Sequence, residues 1–260
     1  MDLLQPAERA ALHVSVSQIK CYAMCAKKYE WRYVVGAEPE HKSPNLVLGS
    51  AVHEALATWY RRHQVGVVPD VEVVEQVFHD TLAKMAAEGP EVLLDEGETL
   101  EDLDAAGLQL VRTFLANASV PERVLAVESP FHADVVDPQT GEVLEEQLTG
   151  YLDAVVQEGE RVVVLEHKTA ARAWSQDQLD FDVQVSLYQG VTGADSVRLQ
   201  VLTKTKVPKM LVHELVRTER EQQEAVDVVC HVLKAIRAGA FWPNLGWGCR
   251  ECEFRERCRG

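Results

Sequence analysis

The stretch RVVVLEHKTA, Arg161–Ala170, begins as an apolar strand and ends in an acid, a histidine and a lysine. Side chains alternate between the two faces of a strand. Val162, Val164, Glu166 and Lys168 therefore share one face, and Val163, Leu165 and His167 the other. Upstream, LTGYLDAVVQEGER (148–161) shows the same alternation, with Thr149, Tyr151, Asp153 and Val155 on one face. Gly159-Glu160 between the two runs suits a two-residue type II′ hairpin turn. That turn pairs Glu158 with Arg161 and sets Asp153 opposite Glu166, within a few ångströms on one face.

Two opposed carboxylates repel unless something positive sits between them. Hard divalent cations prefer oxygen ligands and keep several waters, and Lys168, one pleat from Glu166, would face the same site. Taken alone, an E-x-K triplet is as readily a solvated surface pair. The opposed Asp153 and the apolar run before Glu166 favour the site.

The chain has 260 residues, 47% of them hydrophobic and 26% charged, the range of soluble globular proteins. No apolar run reaches the length of a membrane span, and MDLLQPAERAALHVS reads as no secretory signal. The expected compartment is the cytoplasm, where six cysteines would be thiols or metal ligands. A net charge of −15 excludes a generally basic nucleic-acid binder but leaves room for local tracks. Such tracks lie at AKKYEWRY (26–33), TKTKVPK (203–209) and CRECEFRERCR (249–259).

The periodicity predicts a helix over 15–33 and a second in LGSAVHEALATWYRRH (48–63), capped by Ser50, with His53, Leu56, Ala57 and Tyr60 on one face. Amphipathic helices are expected over 70–88 and 100–117, a strand in ERVLAVESPFHADVV (122–136), a helix in SQDQLDFDVQVSLYQGV (175–191) and a strand in SVRLQVLTKT (196–205). A long helix runs from a Thr218/Glu221 capping box to Gly239, with Ala225, Val228, Val229, Val232, Leu233 and Ile236 as its apolar stripe. Central strands between helices make the class α/β.

The tail GWGCRECEFRERCRG (246–260) places Cys249, Cys252 and Cys258 in a C-x2-C-x5-C pattern. Three soft ligands are one short of a zinc site or an iron–sulfur cluster. Cys21, Cys25, Cys230 or a histidine could supply the fourth. Spacing alone does not separate zinc from iron–sulfur.

Together these motifs resemble the PD-(D/E)XK nuclease superfamily in its RecB-like branch, among members with a four-cysteine [4Fe–4S] staple such as the AddB nuclease domain and CRISPR-associated exonucleases. The resemblance runs from Ser15 to Cys258. It rests on GSAVHEAL at His53, GYLDAVV at Asp153, LEHKT at Glu166 and Lys168, a Q-x3-Y pair at Gln184 and Tyr188, and one N-terminal cysteine before the tail pattern. Two departures stand out: Ala26 follows Cys25 where the family has proline, and the acid of E-x-K is more often aspartate. KKYEWRY continues as the family does, which favours Cys25 over Cys21. Glu128 matches an additional acidic position whose role the spacing does not fix.

The resemblance implies a restriction-endonuclease-like core: a mixed central sheet flanked by helices, an N-terminal helical part, and a cluster of Cys25, Cys249, Cys252 and Cys258 joining the two ends. One domain over 1–260 is expected, with a helical insertion at 66–120, the catalytic sheet core at 121–216 and the cysteine-rich tail at 240–260. It further implies Mn2+ or Mg2+ held by His53, Asp153, Glu166 and the His167 carbonyl, with Asp153, Glu166 and Lys168 catalytic and Gln184 and Tyr188 positioning DNA. The implied activity is exonucleolytic hydrolysis of single-stranded DNA ends in recombination, repair, phage DNA processing or CRISPR-type adaptation. A G-x4-G-K-[ST] segment is missing from the sequence, so a helicase or integrase-type partner is expected, and no membrane. The alternatives are a non-catalytic zinc- or cluster-containing nucleic-acid binder and an endonuclease subunit of a helicase–nuclease complex.

Overall fold

The computed structural model describes residues 13–259. A short strand β1 (His13–Ser15) leads into α1 (Val16–Met24), α2 (Ala26–Tyr29) and a π-turn at Glu30–Val34. Helices α3 (Pro44–Gln64), α4 (Val71–Ala87) and α5 (Leu100–Asn117) precede β2 (Arg123–Val136), β3 (Val143–Glu158) and β4 (Arg161–Ala170). Then come α6 (Gln176–Asp180), α7 (Val183–Thr192), β5 (Ser196–Thr203), β6 (Lys209–Leu215), α8 (Glu219–Arg237) and α9 (Arg255–Arg259).

Six described strands form one mixed sheet in the order β1-β3-β4-β5-β6, with β2 also on β3. β3 and β4 are antiparallel from Glu158↔Arg161 to Ala154↔Leu165. Gly159 has φ +62°, whereas Glu160 is not left-handed, as a type II′ turn requires. β4 and β5 are parallel from Val163↔Ser196 to Ala170↔Thr203, the pairing that needs the α6–α7 crossover between them. β5 is buried along most of its length and β4 over Val163–His167, which accounts for the unbroken apolar run in β4.

The chain divides into two compact units. The larger takes Pro39–Ser129 and Leu152–Val216. Its core gathers Val47, Leu48, Ala51, Val52, Ala55 and Leu56 of α3, Phe78 of α4, Phe114 of α5 and the inward residues Ala154, Val156, Val163 and Leu165 of the hairpin. The i, i+3/i+4 spacing of the α3 residues makes the stripe that faces this core. Gly107 of α5 has no room for a side chain, because a Cβ would lie 2.3 Å from the Phe78 ring.

The other unit takes the described residues up to Glu38, Pro130–Tyr151 and the chain from Arg217 onward. Ser15 and Gln18 form a capping box for α1, and Thr218 and Glu221 one for α8. Lys234 of α8 donates to Asp137 at 2.7 Å, and Tyr22 to the Ala240 carbonyl at 2.5 Å. A Cβ on Gly150 would lie 2.6 Å from the Phe131 ring, so any larger residue there would make that ring shift.

Four local expectations need correction. The 15–33 helix breaks at Cys25, which is extended (φ −160°, ψ 107°). α3 starts at Pro44 after Ser43, so Ser50 is interior rather than a cap; proline at the first helical position sets the boundary. The helix expected over 175–191 is two helices, because Asp182 leaves helical geometry to accept the Val185 N–H at 3.1 Å. Val228, placed on the α8 stripe, is 38% exposed. Neither β1 nor β6 was expected: the first has three residues, and KMLVHEL alternates only weakly in burial.

Candidate active site

The carboxyl ends of the hairpin pairing and one face of α3 meet in the larger unit. Past Ala154↔Leu165 the Asp153 carboxylate takes over from the backbone ladder: its Oδ2 accepts the His167 N–H at 2.7 Å. Its Oδ1 lies 3.3 Å from His53 Nδ1 on α3. Burial opposes ionisation of Asp153, but the His53 imidazole and the His167 N–H outweigh it and hold the carboxyl low. His53 in turn is raised, burial being outweighed by the Asp153 charge and hydrogen bond.

Glu166 follows the last pair of the hairpin ladder, feels the Asp153 charge and is 3% exposed. Its Oε1 receives Lys168 Nζ and, at 2.8 Å, the Gln184 amide. Its Oε2 is buried with no hydrogen-bond partner. Burial first and then the Asp153 charge push the Glu166 carboxyl up, against the pull of Lys168. Lys168 is itself raised, because the Glu166 charge outweighs burial, so its ammonium persists at neutral pH. Gln184 closes the arrangement: its Oε1 accepts from Lys168 Nζ at 3.0 Å and its amide donates to the Tyr188 hydroxyl at 2.9 Å. Gln184 and Tyr188, one turn apart on α7, are buried and hold Glu166 and Lys168 in place.

The His167 ring points to the other face. It stacks on Tyr60 at 5.4 Å and meets Phe114 edge-on at 5.8 Å. Burial lowers its pKa to about 4, so the ring is neutral at physiological pH.

Sequence reading left Glu128 without a role. Its carboxylate joins His53 and Asp153 in a group whose ligand atoms lie within 4.8 Å of one another. Glu128 has φ +45°, the one positive value at a non-glycine position among the described residues. Such a conformation inside a strand costs on the order of 1 kcal/mol. Pro130, two residues on, was the available signal, since proline inside a strand marks an edge or a bulge.

A second group of chemistry-bearing residues lies in the other unit. The extended break at Cys25 turns its thiol into a small cavity lined also by Cys249, Cys252 and Cys258, with Lys28, Trp31 and Arg255 beside them. The Asn244 N–H donates to Cys25 Sγ at 3.4 Å and the Asn244 amide to the Met24 carbonyl at 2.9 Å. Lys28 and Arg32 both pair with Glu253, which ties the tail to the N-terminal helices. Cys21 is buried and lines no part of this cavity. Cys230 is wholly buried in α8.

The family model of the PD-(D/E)XK nuclease superfamily matches residues 13–259. Among solved structures, a candidate exonuclease from Eubacterium rectale is similar over 100% of this chain and 94% of its own, at 18% identity and TM-score 0.53. SSO0001 is similar over 90% of this chain and 94% of its own, at 14% identity and TM-score 0.41. Among curated proteins none matches. No helix of the described residues is long and apolar enough to cross a membrane.

Proposed function

The chain belongs to the PD-(D/E)XK nuclease superfamily, and from that premise we propose that it is a metal-dependent exonuclease hydrolysing phosphodiester bonds at single-stranded DNA ends. The observation that carries the metal-dependent reading is the half-satisfied Glu166: one oxygen is held by Lys168 and Gln184, the other is buried without a partner beside Asp153. A buried acceptor left open costs on the order of 1–3 kcal/mol. Carboxylate oxygens with one imidazole are the donor set of a hard or borderline divalent ion, and the nitrogen favours manganese over magnesium.

Under this reading His53, Asp153 and Glu166 hold the ion, with the His167 backbone carbonyl as a further oxygen. The chemistry a bound ion supplies here is polarisation of a non-bridging phosphate oxygen and a lowered pKa for the attacking water. Lys168, kept protonated by Glu166, donates to that water or to the charge developing on phosphorus, and is no base at neutral pH. Gln184 and Tyr188 fix Lys168 and Glu166 and so position the scissile phosphate indirectly. As the sequence carries no P-loop, strand separation falls to a helicase or integrase-type partner or to a substrate already single-stranded.

In the same proposal Cys25, Cys249, Cys252 and Cys258 bind one [4Fe–4S] cluster. Support comes from four thiols converging on one cavity from distant parts of the sequence. The cluster would be structural: closing so long a loop restrains the unfolded chain by on the order of 5 kcal/mol, if the disulfide model transfers. Anaerobic purification should give brown protein with iron, and stoichiometric zinc would overturn the cluster. The activity is tested by digesting end-labelled single-stranded DNA, double-stranded DNA and RNA with Mg2+ or Mn2+ and no ATP. Metal-dependent shortening of linear single strands is expected. Rapid cutting of circular single strands would make the enzyme an endonuclease, and no cutting of any substrate would leave a binding protein.

A further inference from the structure

We propose that the Trp31 indole N–H donates a hydrogen bond to a sulfur of the [4Fe–4S] cluster and so raises the cluster's reduction potential. The inference rests on the cluster reading above and assigns a residue outside the four cysteines.

An orphaned donor is the first support. Trp31 lines the same cavity as Cys25, Cys249, Cys252 and Cys258. The residue is half-buried, yet its Nε1 is wholly buried and has no hydrogen-bond partner. Among the described residues it is the one such side-chain atom in the unit that holds these cysteines. An indole nitrogen can only donate, and a buried one ordinarily finds an acceptor.

The chemistry of the cavity is the second support. Lys27, Lys28, Arg255 and Arg259 share its lining, whereas no described aspartate or glutamate does. A neutral thiol is a weak acceptor. Sulfur that carries the charge of a thiolate-bound cluster accepts as an ionised group does, with a shorter and stronger bond. A cluster held by four thiolates is anionic, which suits a basic lining and gives Nε1 the acceptor that the protein itself does not supply.

The third support is that the ring is held in place. Trp31 lies in the π-turn Glu30–Val34, where the Val35 N–H reaches back five residues to the Glu30 carbonyl at 2.9 Å. Such turns recur at functional sites. Lys27 Nζ stands over the indole, 5.4 Å from the ring centre, and a cation there favours one placement of the ring. One-electron reduction adds negative charge to the cluster, so a donor aimed at its sulfur favours the reduced form.

The test uses anaerobically purified protein whose tryptophans carry nitrogen-15 in the indole, reduced with dithionite and measured by pulsed electron paramagnetic resonance. The reduced cluster of the intact protein should show a weak coupling to indole nitrogen. Trp31→Phe keeps an aromatic ring and removes the donor, so the coupling should vanish. Its midpoint potential should fall by about 59 mV, a tenfold loss in the one-electron reduction constant. Trp242→Phe, which changes a 56% exposed indole of the same unit, should keep both coupling and potential. The labelled intact protein needs no substitution, so its spectrum decides even where Trp31→Phe fails to fold. The inference is overturned by brown intact protein with no indole coupling, by a coupling that survives Trp31→Phe, or by iron-replete Trp31→Phe with an unchanged potential. Protein that holds no iron under these conditions overturns the cluster reading, and this inference with it.

Discussion

The carboxylate site and the cysteine cavity are built on opposite principles. Asp153, Glu166, Lys168, Gln184 and His53 sit on sheet and helix, and each is held by a named partner: the His167 N–H, the Gln184 amide or a neighbouring charge. Their geometry is set by the fold before any ion arrives, at the cost of a raised Glu166 and a strained Glu128. The four cavity cysteines sit at a helix break and on a tail of short turns, and their contacts are few: the Asn244 N–H to Cys25 and Cys249 to the Asn244 carbonyl at 3.8 Å. With the proposed roles, the difference teaches that a catalytic constellation stores strain in a rigid frame, whereas a structural ligand set leaves the frame to be made by what it binds.

The largest expected effect would break that comparison outright if it failed. Asp153→Asn should lower cleavage by about a thousandfold or more and abolish Mn2+ binding, with iron content unchanged on assay of the same preparation. Next in size, Cys249→Ser or Cys25→Ser should lose iron and destabilise the protein by about 2–5 kcal/mol in denaturant melts. Cys21→Ser should retain iron, and iron loss there with retention in Cys25→Ser would reverse the assignment.

Glu166→Gln sharpens the contrast with the opposite sign. Burial and Asp153 raise the folded-state pKa of Glu166 to about 7 from an ordinary 4.5. A carboxyl raised on folding is no burden below its unfolded value. Its penalty grows as pH rises through that interval and is complete above it. Metal-free Glu166→Gln should therefore be more stable than the intact protein at pH 8, by on the order of 1–3 kcal/mol, and indistinguishable near pH 4. The inactive variant would then be the sturdier one, as a strained site predicts.

The smallest effect comes from a satisfied carboxylate in the same sheet. Burial opposes ionisation of Glu214, but Ser196, Arg198 and Arg161 bind it and lower its pKa to about 2 from 4.5. Its contribution is present above its unfolded pKa and is lost as pH falls from 4.5 towards 2. Glu214→Gln should flatten that part of the acid-unfolding curve by lowering stability modestly above pH 4.5, pH 8 included, and should match the intact protein near pH 2.

Much of this was legible because it follows from strand periodicity. The Gly159-Glu160 turn fixed the pairing of Glu158 with Arg161 and the register as far as Ala154↔Leu165, one pair short of the expected Asp153–Glu166 pairing, and the same alternation turned His167 to the other face. The α4 and α5 boundaries were readable from amphipathic periodicity, and in the structure Asp70 and Thr99 cap these helices. What stayed hidden depends on local breaks and on tertiary contact. Helical spacing gave no reason for Cys25 to leave the helix while Cys21 stayed buried in it. No pattern announces a left-handed glutamate in a strand. The interior role of Gln184 and Tyr188 appeared only once α7 was packed over the end of β4.

The central claim is that Asp153, Glu166 and Lys168 divide metal binding from charge stabilisation on one strand face. Calorimetric Mn2+ titration of Lys168→Ala, run beside cleavage of end-labelled single-stranded DNA, tests it most directly, with His167→Ala as the opposite-face control. A lysine ammonium offers no lone pair to a cation, so Lys168→Ala should bind Mn2+ within about threefold of the intact protein and lose cleavage by about a thousandfold. His167→Ala should keep most of its activity in whatever fraction folds. Near-normal cleavage by Lys168→Ala, with loss in well-folded His167→Ala, would contradict the account.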